Sequence, residues 1–85
     1  MIGYYAGNKA INAYNSNFIG VNAGDGASHA DKSNFFGHRA GYAATDAQRS
    51  NFIGRYAGWN AAQSYNSNFI GEEAGYNSIY ANNSI

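Results

Sequence analysis

The sequence predicts an all-β fold, a parallel β-solenoid (β-roll or β-helix) of five 17-residue coils that associates with other chains. Three observations support this. The 85 residues divide completely into tandem units, and each unit places two large apolar residues, most often Phe-Ile, directly before a glycine. The unit is also too short for a helix pair or a propeller blade, whose repeats need about 33 to 45 residues. In a solenoid, equivalent positions stack about 4.8 Å apart, and each coil contacts only its neighbours.

The repeat accounts for the whole chain as a single domain, residues 1–85. Four units of 17 residues follow one another without a gap over residues 16–32, 33–49, 50–66 and 67–83, and each begins Ser-Asn-Phe. Residues 1–15 match the same unit without its opening pair, and residues 84–85 stand where that pair would be, so together they make a permuted fifth unit. The two positions between the first glycine and the alanine of each unit vary freely, which is typical of a solvent-facing corner.

The segment Ser-Asn-Phe-Ile is the predicted strand, because it joins aromatic and β-branched residues and ends at a glycine that permits a tight corner. An Ala-Gly pair then opens a second side, where alanine is the widest side chain that a narrow coil admits. The spacing of Ala40, Ala44 and Ala47 also fits one face of a helix. A glycine after each first alanine costs a helix about 1 kcal/mol, however, so the β interpretation is favoured.

Neighbouring side chains of a strand point to opposite sides, so the phenylalanine and isoleucine columns cannot both fill the coil. One column remains outside as an apolar stripe larger than a soluble monomer normally exposes. We therefore predict one hydrophobic ladder inside each coil and another between chains, formed by Phe18, Phe35, Phe52, Phe69, Ile19, Phe36, Ile53 and Ile70. A further column is expected to form a structural ladder of amides along the axis, namely Asn17, Asn34, Asn51 and Asn68.

End-to-end assembly is the second predicted contact. A solenoid has two edges of unpaired backbone groups, which atypical caps usually cover, and neither end of this sequence carries a polar cap. If two molecules met end to end, Ser84-Ile85 followed by Met1-Ile2-Gly3 would read S-I-M-I-G, close to S-N-F-I-G. We expect each such junction to complete a split coil.

The run S-N-F-I-G-x-x-A-G resembles the head repeats of trimeric autotransporter adhesins, in which an S-V-A-I-G-x-x-A motif marks each coil of a left-handed parallel β-roll. It is also similar to repeats of bacterial surface and phage tail-fibre-like proteins. The resemblance covers all five units, although this coil is longer and has phenylalanine where the adhesin repeat has a small residue. It implies a trimeric, fibrous and extracellular architecture, at a cell or virion surface, and adhesion to host surfaces or matrix.

No set of residues in the sequence has the pattern of a catalytic or metal site. His29 and His38 fall in different columns, Glu72 and Glu73 are adjacent and point apart if extended, and Asp25 lies in a single Gly-Asp-Gly. The chain has no Cys and no glycine-rich phosphate-binding motif. We therefore expect neither enzymatic activity nor a metal or cofactor.

Charge and hydropathy exclude other partners. The formal net charge is zero, so the chain lacks the basic field that nucleic acids or anionic membranes attract. The uncharged stretch of residues 10–24 is interrupted by five Asn or Ser residues and is too polar for membrane insertion.

Two functions remain. The first is a structural protein, a homo-oligomer or homopolymer that builds an extracellular fibre, stalk or adhesin-like head. The second is a module that binds carbohydrate or a host-surface receptor through Tyr42, Trp59 and Tyr76, which occupy one column on successive coils. Flat aromatic rings with a polar tip suit such contacts because they offer a large area at a small entropy cost.

Overall fold

The computed structural model describes residues 1–79. Four short strands follow in chain order, β1 (Asn17–Ile19), β2 (Asn34–Phe36), β3 (Asn51–Ile53) and β4 (Asn68–Ile70). They form one parallel sheet in the order β1-β2-β3-β4, and each residue pairs with the residue 17 positions later. No helix occurs in this part of the chain. The predicted all-β class and the parallel stacking of the units are confirmed, and the arrangement is consistent with a β-solenoid.

Four strands are present, whereas the sequence predicted five coils. The first unit, residues 1–15, contributes no strand, but Ile2 forms a parallel bridge with Ile19. The Ile2 N–H donates to the Phe18 carbonyl at 2.8 Å, so this unit continues the stack below β1. Ser84 and Ile85, which were predicted to complete the permuted unit, lie outside the described residues.

Backbone hydrogen bonds join the coils on every side, not only at the strands. Along the second side, alternate N–H groups donate in opposite directions: Gly24 donates to the Ala40 carbonyl of the next coil and Gly26 to the Asn8 carbonyl of the previous one, each at 2.8 Å. A second line of parallel bridges runs through Ile11, Ser28, Thr45, Ala62 and Ile79. The backbone polar groups are therefore satisfied between coils, as a stacked coil requires.

The core is a column of phenylalanine rings surrounded by small side chains. Phe18, Phe35 and Phe52 are fully buried, and successive rings stack with centroids 4.7 to 5.0 Å apart and planes within 12°. Phe69 is buried as well, and the rest of the buried apolar lining is alanine, namely Ala23, Ala27, Ala30, Ala40, Ala44, Ala47, Ala57 and Ala61. One large ring per coil, with methyl groups around it, fills the interior.

A buried serine ladder closes the corner before each strand, and the sequence analysis did not predict it. The Ser33 hydroxyl donates to the Ala47 carbonyl at 2.6 Å and accepts the Ser50 N–H at 2.9 Å. Ser50 repeats the pattern with the Ser64 carbonyl and the Ser67 N–H. Each hydroxyl thus makes one hydrogen bond to the turn of its own coil and one to the next coil. The hydrogen bonds satisfy the polar groups of this buried column.

Two glycines of each middle unit are required by close approaches. A Cβ on Gly37, whose φ is 135°, would stand 2.5 Å from the Gly54 carbonyl oxygen of the next coil. A Cβ on Gly41 would collide with the Phe35 ring of its own coil. The first glycine therefore lets the coils stack, and the second makes room for the core ring.

Phe35 and Phe36 are adjacent residues of the same type on opposite sides of β2, so they form a matched pair. Phe35→Ala should lower the free energy of unfolding by about 3–5 kcal/mol, because it leaves a cavity in the ring stack. Phe36→Ala, on the outer side, should cost about 1 kcal/mol or less. Denaturant unfolding followed by far-UV circular dichroism measures both, and equal losses would contradict the inward placement of the phenylalanine column.

Candidate functional site

The outer side of β1 to β4, called the strand face here, carries an asparagine ladder. The Asn17 Nδ2 donates to the Asn34 Oδ1 at 2.9 Å, and the same bond repeats from Asn34 to Asn51 at 2.8 Å and from Asn51 to Asn68 at 2.7 Å. The amides therefore bond to one another along the axis, as the sequence analysis expected. This leaves the neighbouring apolar column as the part of the strand face best suited to contact another chain.

That column, the apolar stripe, consists of Ile19, Phe36, Ile53 and Ile70. Its isoleucines are 40%, 38% and 65% exposed, and Phe36 is half-buried. The other four residues predicted for the lateral ladders, Phe18, Phe35, Phe52 and Phe69, lie inside the coil. Of the eight predicted ladder residues, only the four of the apolar stripe are therefore accessible to a second chain.

The two edges of the stack differ from its middle. Among the residues that the structure describes, the Cβ direction of Gly71 is open apart from the Ala74 methyl group at 4.0 Å, whereas Gly3, Gly20, Gly37 and Gly54 each face the backbone of the next coil. At the other edge, the Met1 side chain lies beside Gly7, where later units place a phenylalanine ring beside the corresponding glycine. Ile2 is 67% exposed. Met1 therefore occupies the position that phenylalanine takes in the later units, and the end-to-end contact through Met1, Ile2 and Gly3 stays a prediction.

Tyr42, Trp59 and Tyr76 meet in one surface column on the side that follows the strand face. The ring centroids are 5.2 Å apart between Tyr42 and Trp59 and 5.5 Å apart between Trp59 and Tyr76, with planes tilted by 45° and 41°. Tyr56 packs edge-on against Trp59 at 4.9 Å. These four residues are called the aromatic strip below. The sequence analysis found three of them from their shared column, but Tyr56 occupies another column and only the structure brings it to Trp59.

Charged side chains surround the aromatic strip. The Arg39 guanidinium carbon lies 5.3 Å from the Trp59 ring centroid and 5.9 Å from that of Tyr42, within the range of cation–π attraction. The Arg55 guanidinium lies 4.7 Å from the Tyr56 ring centroid and donates to Glu72 at 3.1 Å. Hydrogen bonding to Tyr56, and less strongly to Glu72, raises the pKa of Arg55 above its usual value.

Asp25 lies in the column of the aromatic strip, one coil before Tyr42, but its carboxylate is already engaged. It accepts from the Asn22 amide at 2.8 Å and from the Asn8 amide at 3.2 Å. No ion pair joins Asp25 to Arg39, since Arg55–Glu72 is the one salt bridge among residues 1–79. Arg39 is therefore held by aromatic rings and not by a carboxylate.

The two histidines lie apart from each other. His38 lies against Tyr56, with ring centroids 5.7 Å apart, and His29 is an exposed corner residue eight positions before the next Gly37 corner. Over residues 1–79, no three His, Asp or Glu side chains come together as metal ligands. The same residues contain no helix long and apolar enough to cross a membrane.

Comparison with known proteins finds no family, no curated protein and no solved structure that matches the chain. The likeness to adhesin head repeats therefore remains one of motif and of parallel stacking of successive units.

Proposed function

We propose that this chain is a structural, self-assembling repeat protein that builds an extracellular fibre, stalk or adhesin-like head at a cell or virion surface. The observation that carries the proposal is the apolar stripe, a continuous row of large apolar side chains on the outside of the coil. Assembly is lateral, through this stripe, and axial, through the open edges of the stack. The partner in both contacts is another copy of the same chain.

Lateral association follows from the shape and repetition of the strand face. Each coil adds one residue to the apolar stripe and one residue to the asparagine ladder, because β1 to β4 pair residue for residue in register. A second copy presents the same spacing, so each isoleucine of one stripe can pack against a stripe residue of the other. The resemblance to trimeric adhesin heads favours three chains around one axis.

Replacing a stripe residue should weaken lateral association. Ile53→Thr keeps the β-branched shape but introduces a hydroxyl, and we expect the association constant to fall about tenfold, corresponding to about 1.4 kcal/mol. Ile11→Thr is the matched control, because Ile11 is 59% exposed on the second line of bridges and lies outside the stripe. Sedimentation velocity over a range of concentrations measures both variants. An effect of the same size from Ile11→Thr would contradict a contact through the strand face.

Axial association follows from the construction of the edge at β4. The Gly71 backbone has the same conformation as that of Gly54, with φ of 130° and 134°, so its coil is built to receive another coil. At Gly54 that neighbour is the Gly71 backbone. In an axial stack the neighbour of Gly71 would be the first coil of the next molecule, which begins with Met1, Ile2 and Gly3.

The two glycines therefore distinguish folding from axial assembly. Gly54→Ala and Gly71→Ala share the strain of a positive φ, but among residues 1–79 only the first adds a backbone collision. We expect Gly54→Ala to be the more destabilising in unfolding experiments, and Gly71→Ala to keep a folded chain that forms no filaments in electron microscopy. Amide NMR signals of β4 show whether its coil is retained. Filaments of normal length from Gly71→Ala would contradict the axial contact.

A second candidate function is binding through the aromatic strip, and the observation that favours it is the clustering of four aromatic rings at the surface of consecutive coils. Such a surface is compatible with the structural role, because the strip lies beyond the corner glycines that end the strand face. An assembled fibre would then present the strip many times.

A further inference from the structure

We propose that the aromatic strip binds a neutral, flat, β-1,4-linked glycan that lies along the solenoid axis. This inference deepens the second candidate function and does not depend on assembly. It rests on three properties of the strip: the tilt of its rings, its rigidity and its mixed charge.

The rings of the aromatic strip are tilted against one another, whereas the rings of the core are nearly parallel. Core rings lie within 12° of parallel, so each face is covered by the next ring. Tyr42, Trp59 and Tyr76 touch in succession but tilt by 41° to 45°, which leaves part of each ring face uncovered by its neighbour. Tyr76 is 43% exposed, and Tyr42 and Trp59 are half-buried. The faces that remain open suit the apolar C–H face of a pyranose ring.

Trp59 is held from several directions. Tyr42 and Tyr76 flank it along the axis, Tyr56 packs against it edge-on, and the Arg39 guanidinium lies 5.3 Å from its ring centroid. A ring fixed in this way loses little conformational freedom when a ligand binds, so more of the contact energy remains as affinity. The strip is therefore a preorganised platform.

The charges beside the strip favour a neutral ligand over a polyanion. Arg39 is cationic and has no carboxylate partner among residues 1–79, but Asp25 precedes it by one coil and Glu73 stands in its own column two coils later. The Arg55 charge is matched by Glu72. A polyanion along the axis would meet repulsion at both ends, whereas sugar hydroxyls can accept from Arg39 and donate to the carboxylates.

The direction of the ligand follows from the column itself. Successive ring centroids are 5.2 and 5.5 Å apart, about the length of one sugar residue in an extended β-1,4-linked chain. A chain laid along the axis would meet a new ring at each coil, whereas a chain laid across the axis would meet one coil alone. The axial orientation uses all three rings of the column.

The test titrates the chain with disaccharides and tetrasaccharides of β-1,4-linked glucose and of β-1,4-linked N-acetylglucosamine, with a heparin tetrasaccharide as the polyanion. Trp59 is the only Trp of the chain, so its fluorescence reports binding at the strip directly. We expect a neutral tetrasaccharide to bind at least about tenfold more tightly than its disaccharide and more tightly than heparin. Equal affinity of the two lengths would overturn the axial orientation.

Three variants, measured by isothermal titration calorimetry, assign the binding to the strip. Trp59→Ala should weaken tetrasaccharide binding at least about tenfold, and Trp59→Phe, which keeps a ring, should weaken it less. Tyr14→Ala is the matched control, because Tyr14 is 67% exposed and lies outside the strip, and it should change affinity less than about twofold. Tighter binding of heparin, or no fluorescence change with any neutral tetrasaccharide at millimolar concentration, would overturn the proposal.

Light scattering on the same samples separates this proposal from the structural one. Glycan binding by a chain that stays monomeric would support the strip and contradict self-assembly. Filaments that bind no tetrasaccharide would support self-assembly and contradict binding at the strip.

Discussion

The stack of phenylalanine rings inside the coil determines most of what surrounds it. Each ring spans the interior and contacts the rings above and below at 4.7 to 5.0 Å, so every other inward side chain must be small. This explains a chain without leucine and with a single valine, whose core lining is alanine and serine. It also explains the second glycine of each unit, since a Cβ there would enter the ring. Because each ring is covered by its neighbours, stability should be shared between adjacent coils, as in other repeat proteins.

The strand and its two sides could be predicted from the sequence because their constraints recur in every unit. The pair Phe35-Phe36 had to divide between inside and outside, and the alternation rule required this, but it could not say which residue is inside. The Phe35 ring is the one that lies inside, where it occupies the space beside Gly41. The position of Gly41 depends on the path of the turn. The sequence predicts a corner at the first glycine of each unit, but the close approach of Gly37 to the next coil is visible only in three dimensions.

The parts that the sequence did not predict depend on contacts between different columns. The Ser33 hydroxyl donates to the Ala47 carbonyl, 14 positions later, and accepts from the Ser50 N–H, 17 positions later in the next coil. A serine at a fixed position of the repeat does not by itself indicate these two hydrogen bonds. Tyr56 also makes a contact between columns, because it packs against Trp59 although its own column contains Arg39 and Glu73. The first unit differs again: its missing opening pair leaves one bridge, at Ile2, in place of a strand.

The stacked coil depends most directly on the pairing of each residue with the residue 17 positions later, and disulfide trapping tests that register. The chain has no Cys of its own, and the Asn34 and Asn51 amides are in contact at 2.8 Å, so cysteines at these two positions should bridge on mild oxidation. Cysteines replacing Asn34 and Asn68 are two coils apart, beyond the Cα separation of about 7 Å that a disulfide spans, and should stay reduced. Intact mass and a non-reducing peptide map at high dilution give the answer. An intramolecular disulfide in the first variant alone is the predicted result, and a failure to bridge, or equal bridging in both, would contradict the stacked coil.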